Sequence, residues 1–318
     1  MGSLCFCRHI AFIWLLLCLL DKGALGAKFT VINKCDYTVW PAILANAGSS
    51  ALDTTGFQLP SGGSRTFQAP PNWSGRFWAR TGCNFDPNTQ TEQGTCTTGD
   101  CGSNQVECNG GGAHPPVTLA EFTIGSGGSQ DYYDVSLVDG YNVAMIVDAV
   151  GGSGECGSTG CIADLNEQCP NELKEGNGVG CKSACEAFGK DEYCCSGTYA
   201  SPATCKPTLY STMFKSACPK SYSYAYDDPT STFTCTAPDY TITFCPSTRS
   251  QKSARVSPPE TGIGIGTGGI QGADMPMIVN SSSWFSNIFD GFSPKSYSCS
   301  TSLIATLTIL IFLYLHFS

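Results

Sequence analysis

Apolar residues along this chain fall in short runs that alternate with polar positions or are rich in β-branched and aromatic side chains. The runs are Phe29 to Ile32, Tyr37 to Trp40, Arg76 to Ala79, Leu119 to Ile124, Tyr132 to Val138, Tyr141 to Val147 and Tyr240 to Phe244. Gly, Pro, Asn and Ser separate them, and no long amphipathic helix is visible. Short strands with turn residues between them predict an all-β sandwich or barrel. Asp139-Gly140 lies between two runs and predicts a two-residue hairpin. From Cys156 to Cys218 the apolar runs shorten and cysteines crowd together. One short helix is predicted there, over Lys182 to Phe188, stopped by Gly189. This stretch reads as a disulfide-stapled lobe attached to the β core.

The same alternation sorts the acidic residues. On a strand, Glu121 points to the face opposite Phe122, and Asp134 to the face opposite Tyr133 and Val135. Water or a ligand belongs on that face. Asp139 can serve there or simply form the turn, and Asp227, in Asp227-Asp228-Pro229, can serve there or cap a helix or turn.

Sixteen of the cysteines lie between Cys35 and Cys245, an even number suited to an oxidising compartment. Their connectivity does not follow from spacing. Each bridge contributes about 2–4 kcal/mol, against a net stability of about 5–15 kcal/mol for a whole domain. Nested bridges do not add simply, yet they can replace a hydrophobic core in a loop-rich lobe. Resistance to heat, proteases and acid is the expected consequence.

The ends agree with an extracellular destination. Residues 1–26 carry Arg8, the apolar run Ile10 to Leu20 and small residues at Ala24 and Gly26, the pattern of a cleaved signal peptide. The mature domain is then expected over 27–247. Residues 248–302 are rich in Ser, Gly and Pro and read as a flexible tether. Residues 303–318 form a short apolar tail behind a polar spacer, the pattern of a lipid-anchor signal, with Asn280-Ser281-Ser282 and Asp290-Gly291 as candidate attachment regions. A retained membrane segment and simple secretion are the alternatives, and Cys299 is the odd thiol. Asn72-Trp73-Ser74 and Asn280-Ser281-Ser282 are acceptor sequons that put N-glycans at Asn72 and Asn280.

Charge and inventory narrow the chemistry. Over residues 27–247, 11 Lys and Arg stand against 22 Asp and Glu, a net charge of −11. Nucleic acid and anionic lipid surfaces are poor partners for such a domain. Of 3 histidines, His9 and His316 lie in the terminal segments, so only His114 could serve as a hydrolase base or zinc ligand. It sits in the loop Gly112-Ala113-His114-Pro115-Pro116 and reads as a surface residue. The glycine-rich segments lack the lysine of a phosphate loop. No metal and no cofactor are expected. What remains is carboxylate chemistry.

Several segments carry a resemblance. They are Cys35-Asp36-Tyr37-Thr38-Val39-Trp40-Pro41, Trp78-Ala79-Arg80-Thr81-Gly82-Cys83, Cys96-Thr97-Thr98-Gly99-Asp100-Cys101 and Pro116 to Phe122. Tyr133 to Gly140, Tyr193-Cys194-Cys195, Asp227 to Cys235 and Phe244-Cys245-Pro246 complete the set. With sixteen ordered cysteines, the stretch from about Lys28 to Pro246 resembles the thaumatin-like proteins, a family of pathogenesis-related defence proteins. Glu92, where the family has glycine, and a slightly longer Cys101 to Cys108 loop are its departures.

The resemblance implies a flattened β-sandwich core, a disulfide-rich second lobe with a short helix, a smaller third lobe and eight disulfides. The implied pairs are Cys35–Cys245, Cys83–Cys96, Cys101–Cys108, Cys156–Cys235, Cys161–Cys218, Cys169–Cys181, Cys185–Cys194 and Cys195–Cys205. It also implies an acidic cleft built from Arg76, Glu121, Asp134, Asp139 and Asp227. Three functions follow as expectations. The first is an antifungal defence protein binding fungal β-1,3-glucan in that cleft. The second is an endo-β-1,3-glucanase, with Glu121 as general acid and Asp134 or Asp139 as its partner. The third is a protein-partner role at the cell surface, as a receptor or enzyme inhibitor. A monomer in the apoplast, held at the outer face of the plasma membrane through its tail, is the expected state.

Overall fold

The computed structural model describes residues 26–85 and 94–246. The expected signal peptide, tether and tail, with Glu92, Asn280, Cys299 and the candidate attachment regions, lie outside the described residues.

The strands run in chain order as β1 (Lys28–Asn33), β2 (Trp40–Ala45), β3 (Ser64–Gln68), β4 (Ser74–Arg80), β5 (Leu119–Thr123) and β6 (Gln130–Ser136). They continue as β7 (Met145–Val150), β8 (Thr159–Cys161), β9 (Lys174–Glu175), β10 (Gly180–Cys181), β11 (Phe233–Thr236) and β12 (Asp239–Phe244). One five-stranded sheet has the order β3-β1-β12-β7-β8, the other β11-β6-β5-β4-β2, and β9 pairs β10 apart from both. The result is mainly β, a two-sheet sandwich.

The first and last strands, β1 and β12, pair in parallel at the centre of the first sheet. Cys35–Cys245, 210 residues apart, closes just past their ends. The two sheets meet over aromatic rings. Phe77 on β4, Phe122 on β5 and Tyr133 on β6 pack with Phe29 of β1 and Tyr240 of β12 in one buried cluster. Phe29 sits edge-on to Phe122 with centroids 4.7 Å apart and stacks on Tyr240 at 5.5 Å. Each such ring contributes roughly 1.5–3 kcal/mol by leaving water. Asp131 is buried in the same layer, accepting from the Gly125 amide at 2.7 Å and from the Tyr240 hydroxyl at 3.0 Å.

Several expectations shift. The run Tyr37 to Trp40 is not the strand. Val39 makes only an isolated bridge to Leu59, and β2 begins at Trp40 and continues through Pro41. A proline is tolerated because β2 is an edge strand. Asp139-Gly140 does not close a two-residue hairpin. The strand before it, β6, belongs to one sheet and the strand after it, β7, to the other, so the turn moves the chain between layers. Val138 and Asp139 occupy its centre, and the Gly140 amide bonds the Leu137 carbonyl at 3.0 Å. Gly140 has φ of 88° and leaves no room for a Cβ, which would meet the Cys181 carbonyl oxygen at 2.6 Å. Tyr141 then pairs with Cys181 in the lobe instead of extending β7.

The lobe contains α1 (Leu165–Gln168), α2 (Ala184–Phe188), α3 (Asp191–Cys194) and α4 (Leu209–Ala217). The expected helix is α2, capped by Ser183 and ended by Gly189 in the left-handed conformation. The longer α4 went unpredicted, although Thr208 and Ser211 form a capping box at its start. The lobe's buried cluster is Leu137, Tyr141, Cys161, Leu165, Cys169, Leu173, Cys181, Phe214 and Cys218. Four of those residues are half-cystines, so sulfur replaces much of the hydrocarbon. All eight implied disulfides are formed, and four of them lie within this lobe. A last helix, α5 (Asp228–Ser231), precedes β11.

A smaller third lobe covers one end of the outer face of the second sheet. Cys101 and Cys108 pack there on Trp78, Val117 and Leu119. Arg80 is fully buried beneath it and donates to the carbonyls of Trp40 (3.0 Å), Gln105 (3.2 Å) and Val106 (2.5 Å). Burial pushes its pKa down to about 10, opposed by Asp100 and Glu107. Glu107 accepts from both Thr54 and Thr55 hydroxyls and from the Thr55 and Gly56 amides. Burial pushes its carboxyl up, but these hydrogen bonds outweigh it and hold the group below the usual range. Asn72 lies exposed in the turn before β4.

Candidate functional site

Three adjacent strands of the second sheet put charged residues in register. Arg76 on β4 is opposite Glu121 on β5, and Glu121 is opposite Asp134 on β6. Their chain neighbours Phe77, Phe122 and Tyr133 fill the core. Arg76, Glu121 and Asp134 therefore form a row across the outer face. Cross-strand partners on one face have Cβ atoms about 4.5–5.5 Å apart.

The row is incompletely bonded. Arg76 Nε lies 3.6 Å from Glu121 Oε1, an ion pair too long for a hydrogen bond, with both side chains about a third exposed, at 33% and 31%. On its other side an Arg76 terminal nitrogen donates to Asn46 Oδ1 at 3.4 Å. Asp134 is 5% exposed, and its Oδ1 has no hydrogen-bond partner; neither has Arg76 Nε. A buried donor and a buried acceptor thus stand unsatisfied two strands apart.

Burial is the first cause of the electrostatics here. It pushes Glu121 up, with Arg76 opposing and Asp139 adding to the rise. It pushes Asp134 well above the carboxylate range, reinforced by Glu121 and Asp228 and opposed by Arg76. Asp139, half-buried in the sheet-switching turn, is also pushed up by burial and held back by Arg76. Arg76 therefore acts on all three acids.

Asp227 is placed differently. Its Oδ2 pairs with Lys215 Nζ at 3.0 Å and accepts from the Ser223 amide and hydroxyl, both at 2.9 Å. Lys215 also donates to the Ser221 carbonyl and the Ser231 hydroxyl. Asp227 stands at the N-cap position of α5, yet its side chain makes no capping bond. Its neighbour Asp228, which the sequence did not single out for the site, accepts from the Tyr222 hydroxyl at 3.0 Å. Only the doubled acid Asp227-Asp228 could have drawn attention to it. No group of three or more metal-ligating side chains suited to an ion occurs among the described residues.

The thaumatin family model matches residues 33–246, a span holding the eight bridges, the acidic row and every strand except most of β1. The chain belongs to the thaumatin family. Among relatives, Thaumatin-like protein 1 of Arabidopsis thaliana is 66% identical over 251 residues, covering 75% of this chain and 96% of that protein. Pathogenesis-related protein 5 of the same plant is 56% identical over 227 residues, covering 70% of this chain and 92% of that one. A PR5-like receptor kinase, also from Arabidopsis thaliana, is 47% identical over 241 residues, or 73% of this chain and 36% of the kinase. Within the thaumatin-family domain, these matches leave the chemistry of the row to be decided by its own atoms.

Proposed function

We propose that this protein is an extracellular, cell-surface-tethered plant defence protein that binds fungal β-1,3-glucan along the row Arg76, Glu121 and Asp134, with Asp139 at its margin. The observation that carries this reading is the pair of buried, unbonded atoms, Asp134 Oδ1 and Arg76 Nε. Burying an unmade hydrogen bond costs about 1–3 kcal/mol. A sugar hydroxyl both donates and accepts, so a neutral polyol can satisfy each atom. An anionic ligand would meet the repulsion of the domain's excess carboxylates.

Binding is favoured over hydrolysis because the two unbonded atoms of the row call for hydrogen-bond partners. A glycosidase needs one carboxyl protonated and another ionised, with environments that push the two apart. Here burial pushes Glu121, Asp134 and Asp139 up, and the charge of Glu121 pushes Asp134 further while Arg76 opposes the rise in all three. The glucanase reading rests on a specific geometry too: Glu121 and Asp134 are direct cross-strand neighbours on one face, and a glycosidase needs two carboxyls on one site. A protein partner at the cell surface is the third reading, supported by the receptor-kinase relative.

Incubating the mature domain with soluble β-1,3-glucan separates the readings. Co-sedimentation without new reducing ends is the expected result. Reducing ends that vanish in Glu121→Ala support the enzyme, and neither binding nor turnover points to a protein partner. Phospholipase C release from intact cells checks the proposed glycolipid tether.

A further inference from the structure

The family's acidic cleft takes its last carboxylate from Asp227, but the surroundings of that residue leave it little to offer a ligand. It is 9% exposed, its Oδ2 holds Lys215 and both donors of Ser223, and its Oδ1 faces the Thr230 hydroxyl at 3.5 Å. Lys215 in turn ties α4 to Ser221 and Ser231. Asp227 thus closes an internal ion pair that fixes the lobe's last segment against α5.

Asp228 has the complementary position. It is half-buried and not enclosed, and Tyr222 holds its Oδ1 through a 3.0 Å hydrogen bond. The Tyr222 hydroxyl also bonds the Thr232 hydroxyl. Tyr222 is itself fixed to β6, the strand of Asp134. Its amide donates to the Val135 carbonyl at 2.9 Å, its carbonyl accepts from Leu137 at 2.9 Å, and it pairs with Ser136 in parallel. The strand carrying Asp134 is therefore flanked by Glu121 on β5 and, on its far side, by the segment that presents Asp228. The charge of Asp228 reaches Asp134 in this arrangement, as do those of Glu121 and Arg76.

We propose that Asp228, positioned by Tyr222, is the lobe-side carboxylate that meets the ligand, and that a hydroxyl of a neutral sugar enters beside the unbonded Asp134 Oδ1 between Glu121 and Asp228. This rests on the glucan-binding reading above. Two carboxylates flanking a buried acid favour a ligand rich in hydrogen-bond donors. One sugar hydroxyl donates to the unbonded Asp134 Oδ1, and the neighbouring hydroxyl of the same ring donates to Asp228.

The test compares Asp228→Asn, Tyr222→Phe and Asp227→Asn in the intact mature domain. Three readouts are taken: affinity for soluble β-1,3-glucan, Tm, and the carboxyl carbon titration of Asp134 by NMR. Asp228→Asn is expected to weaken binding about tenfold, the equivalent of about 1.4 kcal/mol, at unchanged Tm. It should also lower the Asp134 titration midpoint, because a neighbouring negative charge is gone. Tyr222→Phe should weaken binding less and move the Asp134 midpoint, which a merely structural role would not do. Asp227→Asn should lower Tm, because Lys215 loses its partner. Wild-type affinity and an unmoved Asp134 midpoint in Asp228→Asn would overturn the assignment. So would Asp227→Asn losing affinity at unchanged Tm. A wild-type domain that binds no β-1,3-glucan overturns the glucan reading itself, and the titration then still decides whether Asp228 faces Asp134.

Discussion

The two faces of the second sheet use the same three strands for opposite purposes. On the inner face, Phe77, Phe122 and Tyr133 are buried against the other sheet and meet rings on every side. On the outer face, one residue away along each strand, stand Arg76, Glu121 and Asp134. The inner residues stabilise the fold by leaving water. The outer ones are partly buried with hydrogen bonds missing, which costs stability and leaves capacity for a ligand. The third lobe sharpens the contrast. Arg80, on the same outer face, is wholly buried yet satisfied by three carbonyls, whereas Arg76 is open and underbonded. The difference separates a structural cation from one that, in the proposed reading, is left to meet a ligand.

The largest expected effect comes from breaking the inner face. Phe122→Ala should cost about 3–5 kcal/mol in chemical denaturation, through lost transfer energy and the cavity left behind. Arg80→Met should follow at about 3 kcal/mol, because the three carbonyls under the third lobe lose their donor. Glu107→Gln should cost about 1–3 kcal/mol at neutral pH. Its folded pKa is depressed, so its contribution is present above the ordinary carboxylate pKa and is lost as pH falls through the folded value. The variant should therefore show a shallower loss of stability in acid, measured by denaturation across pH.

On the open row the sign reverses. Glu121 and Asp134 have raised folded pKa values, so their contribution is present below the ordinary carboxylate pKa and is lost as pH rises through the folded ones. Glu121→Gln should leave stability in acid nearly unchanged and raise it slightly toward neutral pH. A loss of stability at neutral pH would remove the distinction between the two faces.

Much of this contrast was legible in the chain. Alternation alone assigned Glu121 and Asp134 to the face opposite Phe122, Tyr133 and Val135, and the sandwich follows from the same pattern. What alternation could not show was which strand lies beside which. Asp139-Gly140 has the residues of a tight hairpin, yet it becomes a crossing between sheets because Tyr141 pairs with Cys181 in the lobe. Likewise, nothing local distinguishes Asp227 from Asp228. The distinction arises from Lys215 and Tyr222, 12 and 6 residues away from their respective partners and brought in by α4 and by pairing to β6. The helix α4 was missed because its capping box uses Ser211 where a Glu or Gln would have marked it.

The most direct test of the account is the affinity of Asp134 variants for soluble β-1,3-glucan, measured by calorimetry at neutral pH with Tm recorded on the same samples. Asp134→Asn keeps an oxygen acceptor and gains a permanent donor, so it should bind within about threefold of wild type; Asp134→Ala should lose about tenfold or more, the equivalent of one hydrogen bond, with no fall in Tm. An Asp134→Ala domain that binds as tightly as wild type, or that unfolds several degrees earlier, would contradict the claim that this face is built for a ligand.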